Sequence, residues 1–103
     1  MTPLRRRPLT VSGKEALILQ LLGGTELYGL QLVAASRRRL KRGTVYVTLG
    51  RMEQKGFIVS RLEDPPPATG GMPRRMYRAT SLGRRVLALS AEMSPRLVPE
   101  LAR

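Results

Sequence analysis

The chain has 103 residues, enough for one small domain, and 42% of them are hydrophobic. It contains neither cysteine nor histidine, which excludes disulfides, thiolate or imidazole metal sites and the usual general base of a hydrolase. We therefore expect neither an enzyme nor a cofactor. Nineteen Lys and Arg against seven Asp and Glu give a net charge of +12, which favours nucleic acid first, and an anionic membrane second, as a partner.

The N-terminal stretch, residues 1–11, carries three arginines and two prolines and is predicted to form a flexible basic arm. Such an arm is either a solvated terminus or a segment that lies along DNA phosphates or in a minor groove. No apolar run approaches the ~20 residues that cross a bilayer, and no signal-peptide core follows the N-terminal arginines. We therefore expect a cytoplasmic, nucleoid-associated protein with no membrane partner.

The first helix is predicted to start at Ser12, which forms a capping-box pattern with Glu15 ahead of an apolar run. Residues 16–22 are apolar nearly all round a helix, and two glycines then end it. A helix that is apolar on all sides must be covered on all sides. We therefore expect it to meet both the domain core and a second copy of the chain, the latter through Leu17 and Leu21.

A second helix is predicted to begin near Tyr28, with Leu30, Val33 and Ala34 facing inward. Five of the next seven residues, 36–42, are basic. Because this run leads directly into a third helix, phosphate contact is favoured over a targeting tag or a solvated face. The candidate phosphate-binding residues of the run are Arg38, Arg39, Lys41 and Arg42.

The third helix is predicted over residues 43–56, where Val45, Leu49 and Met52 form one apolar stripe. The opposite face carries short polar, small apolar and cationic groups. A helix with these two faces has the form of a recognition helix that enters a DNA major groove. Its candidate DNA-binding residues are Thr44, Tyr46, Val47, Thr48, Arg51 and Lys55.

Among these residues, Arg51 is the best candidate for a base contact, because its guanidinium can bond guanine O6 and N7 together. The alternatives for Arg51 are an ion pair with a neighbouring carboxylate and a plain phosphate contact. Val47 is a candidate to meet a thymine methyl group. Thr44 and Thr48 are expected to donate to phosphates, although Thr44 fits the N-cap of the helix equally well.

Residues 57–62 are rich in β-formers and are predicted to form a strand. The prolines and glycines of residues 63–73 exclude helix and regular strand and predict a long turn. Residues 74–79 are predicted to form a second strand, so the segment is a two-stranded antiparallel hairpin with a basic rim. The candidate DNA-binding residues of this rim are Arg74 and Arg75.

Thr80 is predicted to cap a last helix, which carries an apolar stripe at i, i+4, i+7 and i+11. The stripe consists of Leu82, Val86, Leu89 and Met93, and it either dimerises or packs back on its own domain. Together the elements predict a mainly α winged helix-turn-helix with three helices, a two-stranded β wing and an added C-terminal helix. We expect a DNA-binding domain over residues 12–80 and a dimerisation helix with a tail over residues 81–103.

Five segments share their order and separation with one known family: Leu27-Tyr28-Gly29-Leu30, Gly43-Thr44-Val45-Tyr46 with Leu49, Arg51, Met52 and Glu53, Lys55-Gly56-Phe57-Ile58, Gly70-Gly71 with Pro73-Arg74-Arg75, and Tyr77 with Thr80 and Gly83-Arg84. On these residues the chain resembles the PadR-like transcriptional regulators over roughly residues 9–89. It departs from the family pattern at Val47, where a proline is usual. Its short C-terminal part resembles the small subtype with a single dimerisation helix.

The resemblance implies a homodimeric, sequence-specific repressor that binds double-stranded DNA, with the third helix in the major groove and the hairpin beside the minor groove. It also implies a phosphate contact for Tyr28, for which burial beside Gly29 is the alternative; Tyr46 has the same two interpretations. The sequence identifies no small-molecule effector. The alternative functions are a non-specific architectural binder of DNA or RNA, and a winged-helix module that holds a protein partner.

Overall fold

The computed structural model of the protein describes residues 11–65 and 70–93. The predicted basic arm up to residue 10 and the tail after Met93 lie outside these residues. In chain order the elements are α1 (Gly13–Leu22), β1 (Leu27–Tyr28), α2 (Gly29–Ala35), α3 (Arg42–Lys55), β2 (Ile58–Glu63), β3 (Arg74–Ala79) and α4 (Ser81–Met93). None of the helices in this described part of the chain is long and apolar enough to cross a bilayer.

The capping box predicted for α1 is confirmed. The Ser12 hydroxyl accepts the Glu15 N–H at 3.1 Å, and the Glu15 carboxylate accepts the Ser12 N–H at 3.0 Å. Gly23 ends the helix with a positive φ of 52°, which a residue with a Cβ rarely adopts. The local signals in the sequence therefore fix both ends of this helix.

The inward face predicted for α2 is confirmed in part for Val33, which packs half-buried against the core, and is wrong for Leu30 and Ala34. Leu32 is fully buried, whereas Leu30 is 41% exposed and Ala34 is also exposed. The helix has only seven residues, about two turns. So few residues show no reliable periodicity, and the neighbouring elements decide which face is covered.

The turn between α2 and α3 is organised by Ser36, which is 4% exposed. Its hydroxyl donates to the Val33 carbonyl at 2.7 Å and accepts the Leu40 N–H at 2.9 Å. Arg37 and Arg38 follow with φ of 55° and 75°, conformations that cost a non-glycine residue on the order of 1–2 kcal/mol each. The buried anchors on both sides hold this strained backbone, and both arginine side chains are exposed.

The apolar stripe predicted for α3 is confirmed, because Val45, Leu49 and Met52 are all 1% exposed or less. The helix begins at Arg42, one residue earlier than predicted, with Lys41 as its N-cap. A glycine in the left-handed conformation closes it, as the sequence indicated.

The sheet has three antiparallel strands in the order β1-β3-β2, where the sequence predicted two. The hairpin of β2 and β3 is the predicted one, and we call residues 58–79 the wing. The additional strand β1 is only two residues long and pairs Leu27 with Tyr77 and Tyr28 with Met76. It ties the start of α2 to the wing.

α4 starts as predicted, with the Thr80 hydroxyl accepting the Gly83 N–H at 3.0 Å. The helix lies against the start of the wing so closely that a Cβ on Gly83 would be 2.1 Å from the Phe57 carbonyl oxygen. Val86 is 2% exposed and belongs to the hydrophobic core. One face of α4 therefore packs back on its own domain.

A single hydrophobic core joins all four helices to the sheet. Its buried residues are Ile18, Leu19, Leu22, Leu32, Leu40, Val45, Leu49, Met52, Phe57, Ile58, Tyr77, Ala79 and Val86. Because the inner stripe of α3 is packed into this core, its opposite face is held rigidly toward solvent.

Candidate nucleic-acid interface

The outer face of α3 carries Thr44, Val47 and Arg51, all of them exposed. At about 100° per residue, Val47 and Arg51 lie within about 40° of each other, opposite the buried stripe. The Arg51 side chain makes no hydrogen bond or ion pair with any other residue in 11–65 or 70–93, so the ion-pair alternative has no support there. Its guanidinium remains available to a ligand.

The two threonine hydroxyls of α3 bond weakly within the helix. The Thr48 hydroxyl donates to the Thr44 carbonyl at 3.3 Å, and the Thr44 hydroxyl donates to the Lys41 carbonyl at 3.5 Å. Since Lys41 is the N-cap, the capping alternative for Thr44 is wrong. A hydroxyl rotates readily, so both threonines can turn their protons toward a phosphate.

Tyr46 lies across Gly29 at the start of α2. A Cβ on Gly29 would fall 2.5 Å from the Cε1, Cζ and hydroxyl oxygen of Tyr46, so this placement requires glycine. The tyrosine is nevertheless 49% exposed. It borders an open pocket of about 240 Å³, where α2, α3 and the wing meet, together with Tyr28 and Arg74.

The two wing cations are held in different ways. Arg74 lies over the ring of Tyr28, 4.5 Å from its centroid, in a cation–π contact. Arg75 donates from Nη1 to the Ser60 hydroxyl at 3.0 Å, and that hydroxyl donates to Glu53 Oε2 at 2.6 Å. We call Arg75, Ser60 and Glu53 the wing relay, because they connect β3 through β2 to α3.

The basic run before α3 presents its cations to solvent. Its four candidate residues are all exposed, and none forms an ion pair within residues 11–65 and 70–93. These residues are Arg38, Arg39, Lys41 and Arg42. Unneutralised charge at the entrance to α3 raises the local concentration of any polyanion.

Lys55 was predicted to lie on the outer face of α3, but its side chain reaches toward α1 instead. Its Nζ donates to both carboxylate oxygens of Glu15, at 2.9 and 3.2 Å, and lies 5.5 Å from the centroid of the Phe57 ring. The Glu15 side chain is only 5% exposed, and a buried carboxylate needs a counter-charge. Lys55 therefore joins α3 to α1.

Arg61 is also committed within the protein. It donates to both carboxylate oxygens of Glu26, at 2.6 and 2.9 Å, across the middle strand of the sheet. This hydrogen bond holds the pKa of Glu26 below its ordinary value of 4.5, and the same pair raises the pKa of Arg61. The charge of this arginine is therefore largely neutralised, unlike that of Arg51.

The surface formed by α3, the basic run and the wing offers donors and positive charge. Within the described residues no group of three or more Asp or Glu side chains is arranged to hold a metal ion. The surface is therefore suited to a ligand that combines phosphates with hydrogen-bonding edges.

The Transcriptional regulator PadR-like family matches residues 18–89, more than half of the sequence. A curated relative, transcriptional regulator Rv3488 of Mycobacterium tuberculosis, is 36% identical over 89 residues, which is 84% of this chain and 76% of the relative. The chain belongs to the PadR-like family. Members of this family are transcriptional regulators and not enzymes, in agreement with the resemblance noted in the sequence.

Solved structures share the fold of this PadR-like chain. A PadR family transcriptional regulator from Eggerthella lenta DSM 2243 matches with a TM-score of 0.71 and 27% identity, over 86% of this chain and 78% of the other. PadR of Bacillus subtilis, crystallised in complex with operator DNA, matches with a TM-score of 0.66 and 23% identity, over 74% of this chain. The PadR-like chain spans 45% of that longer protein. The predicted winged helix-turn-helix is confirmed.

The predicted dimerisation residues of the PadR-like chain differ in exposure. Leu17, Leu21 and Leu82 are half-buried and pack against the core of the domain. Val86 is buried in that core, so its assignment to a dimer contact is corrected. Leu89 is 56% exposed and remains available, and α4 ends at the last predicted residue, Met93.

An open groove of about 530 Å³ runs between α1 and α4. Its lining residues are Leu19, Gln20, Gly23, Arg84, Leu87 and Ala88. The groove is mostly apolar.

Two features of the interface were missed by reasoning from the sequence. The close packing of Tyr46 on Gly29 has one local signal in the sequence, a glycine at the start of a helix where other residues are better helix formers. The wing relay has no local signal, because Glu53, Ser60 and Arg75 become neighbours only when the wing folds against α3.

Proposed function

We propose that the PadR-like chain is a sequence-specific DNA-binding repressor that acts as a homodimer, with α3 in the major groove and the wing beside the minor groove. The observation that carries this proposal is the outer face of α3. There Val47 and Arg51 are exposed on a helix whose opposite face is fully buried. Because α3 holds Arg51 rigidly, and its guanidinium has no partner among the described residues, this side chain is suited to read a base edge.

The other candidate residues have positions that suit backbone contacts. Thr44 and Thr48 flank the reading face with hydroxyl donors. Tyr46, Tyr28 and Arg74 surround a pocket beside the wing, where a phosphate can meet a phenol hydroxyl and a guanidinium. Phosphate contacts of this kind fix register and orientation, and the base contact of α3 supplies sequence preference.

Dimerisation is supported by the apolar surface of α1 and α4. Leu89 is 56% exposed on α4, and the groove between the two helices offers further apolar surface. A second copy that covers part of this surface would bring two copies of α3 into a symmetric pair. Such a dimer reads two half-sites of a palindromic operator.

The shared fold supports DNA as the ligand, since the PadR structure of Bacillus subtilis was obtained with operator DNA. The charge of this chain supports it independently, because cations outnumber acids by twelve. DNA binding by this chain therefore rests on its fold and on its own surface together.

The test starts from a library of duplexes with a randomised core two helical turns long, from which the protein enriches its preferred sequence. Fluorescence anisotropy then compares the enriched duplex with a shuffled one at two salt concentrations. A specific regulator prefers the enriched duplex at both concentrations. Equal affinity for the two would support a non-specific architectural binder, and failure to bind any duplex would leave a protein-interaction module.

Two variants divide the proposed roles. Arg51→Ala should weaken binding to the enriched duplex by about 1–3 kcal/mol and do so unequally across sequence variants. Arg74→Ala should weaken binding uniformly and reduce the salt slope by about 1. Arg85→Ala removes the same charge from an exposed position on α4 and serves as a control. A uniform loss for Arg51→Ala would reduce that residue to a phosphate contact.

A further inference from the structure

The outer face of α3 contains one apolar side chain in a setting that is otherwise polar and cationic. Val47 is 56% exposed, more than any other large hydrophobic side chain of α3. A β-branched residue in the middle of a helix also lowers its helix propensity relative to alanine. Neither burial nor helix formation therefore accounts for a valine at this position.

The position of Val47 relative to Arg51 is fixed by the helix. The two residues are one turn apart on the same side, about 6 Å along the axis. Successive base pairs are about 3.4 Å apart, so the two side chains address positions about two base pairs from each other. The buried stripe of Val45, Leu49 and Met52 prevents the helix from rotating to hide Val47.

The chemistry of the major groove limits what an apolar branched side chain can recognise. The only apolar group that a base pair presents there is the C5-methyl of thymine. Guanine, adenine and cytosine present hydrogen-bonding atoms, which valine cannot satisfy and would desolvate. An exposed valine at the centre of a reading face therefore favours thymine and disfavours the other bases.

We propose that Val47 is a specificity-determining residue that packs on a thymine C5-methyl, about two base pairs from the base read by Arg51. This inference rests on the proposed function and adds the composition of the half-site. The operator of this protein contains an obligatory thymine at that separation from a guanine.

The test uses deoxyuridine, which keeps the hydrogen-bonding pattern of thymine and lacks only the methyl group. Each thymine of the enriched duplex is replaced in turn, and anisotropy titrations give the affinity. Loss of one buried methyl corresponds to about a fourfold rise in Kd, confined to one position in each half-site. The variant Val47→Ala should bind the thymine and uracil duplexes equally, because the partner of the methyl group is gone.

The matched control is Val59→Ala, the same change at a valine that is 39% exposed on the wing. This control should keep the full sensitivity to uracil. Val47→Thr, which keeps the side-chain shape and one methyl group, should keep part of it. Alanine favours helix, so Val47→Ala is expected to fold, and a circular dichroism melt checks this.

The possible outcomes separate this proposal from the proposed function. If an enriched duplex is bound but Val47→Ala keeps the fourfold sensitivity, or no uracil substitution matters, the reading of thymine by Val47 is overturned while specific DNA binding stands. If the library yields no preferred duplex, the proposed function fails and this inference fails with it.

Discussion

The close contact between α4 and the start of the wing predicts that Gly83→Ala destabilises the protein. The added Cβ would lie 2.1 Å from the Phe57 carbonyl oxygen and 3.0 Å from its carbonyl carbon. Both atoms belong to the backbone of a fully buried residue, and the same oxygen accepts the Thr80 N–H at 3.0 Å. Side-chain repacking cannot relieve such a clash, so α4 itself must move.

The size of the effect follows from two opposing terms. Ordinary contact for a Cβ begins at about 3.4 Å, about 1.3 Å beyond the 2.1 Å separation, so α4 must shift by nearly a bond length and lose packing at its buried valine. Overpacking of this kind costs about 1–3 kcal/mol, toward the upper end where backbone is involved. Replacing glycine by alanine in a helix returns at most about 1 kcal/mol. We expect a net destabilisation of about 2 kcal/mol.

Urea unfolding monitored by circular dichroism measures this effect. Gly50→Ala is the control, because Gly50 is also helical and a Cβ there would meet nothing within 4 Å. Gly50→Ala should raise the free energy of unfolding by about 0.5–1 kcal/mol, whereas Gly83→Ala should lower it. Equal stabilisation by both substitutions would refute the close packing of α4 on the wing.

Three further predictions concern the interface and its supports. Gly29→Ala should change stability by no more than about 1 kcal/mol, because the phenol of Tyr46 can swing outward. The displaced phenol should weaken DNA binding as much as Tyr46→Ala does. Additive losses of affinity in the double variant, measured by anisotropy, would contradict this. Lys55→Met should lower the free energy of unfolding in urea by about 1–3 kcal/mol, since it leaves Glu15 buried without its counter-charge. The same variant should leave DNA affinity unchanged. A loss of affinity at constant stability would instead indicate that Lys55 contacts DNA. The pKa of Glu26 is lowered in the folded protein, so its contribution to stability is present above pH 4.5 and is lost as the pH falls through the folded pKa. Glu26→Gln should therefore flatten that part of the acid unfolding curve. An unchanged curve would contradict the pairing of Glu26 with Arg61.

Much of the fold follows from local signals in the sequence. The capping box of Ser12 and Glu15, the inner stripe of α3 and the cap at Thr80 each depend on residues within a few positions of one another. Such signals depend on short-range hydrogen bonds and helical periodicity, so they can be recognised in the sequence without knowledge of the tertiary structure.

The missed features depend on contacts between distant parts of the chain. The strand β1 has two residues and exists only because β3 offers it a partner. Lys55 has a position on the helix that fits the DNA face, and only the buried carboxylate of Glu15, forty residues away, draws it to α1. Val86 fits a dimer stripe by its spacing, but the core of the domain covers it. Periodicity identifies an apolar face without identifying what covers it.

Methylation interference tests whether α3 reads the major groove through Arg51. Dimethyl sulfate methylates guanine N7 in the major groove and adenine N3 in the minor groove of the enriched duplex. If Arg51 bonds a guanine, N7 methylation of one guanine in each half-site should block binding by the wild-type protein and should no longer affect binding by Arg51→Ala. Interference only at adenine N3, or guanine interference that Arg51→Ala leaves unchanged, would contradict it.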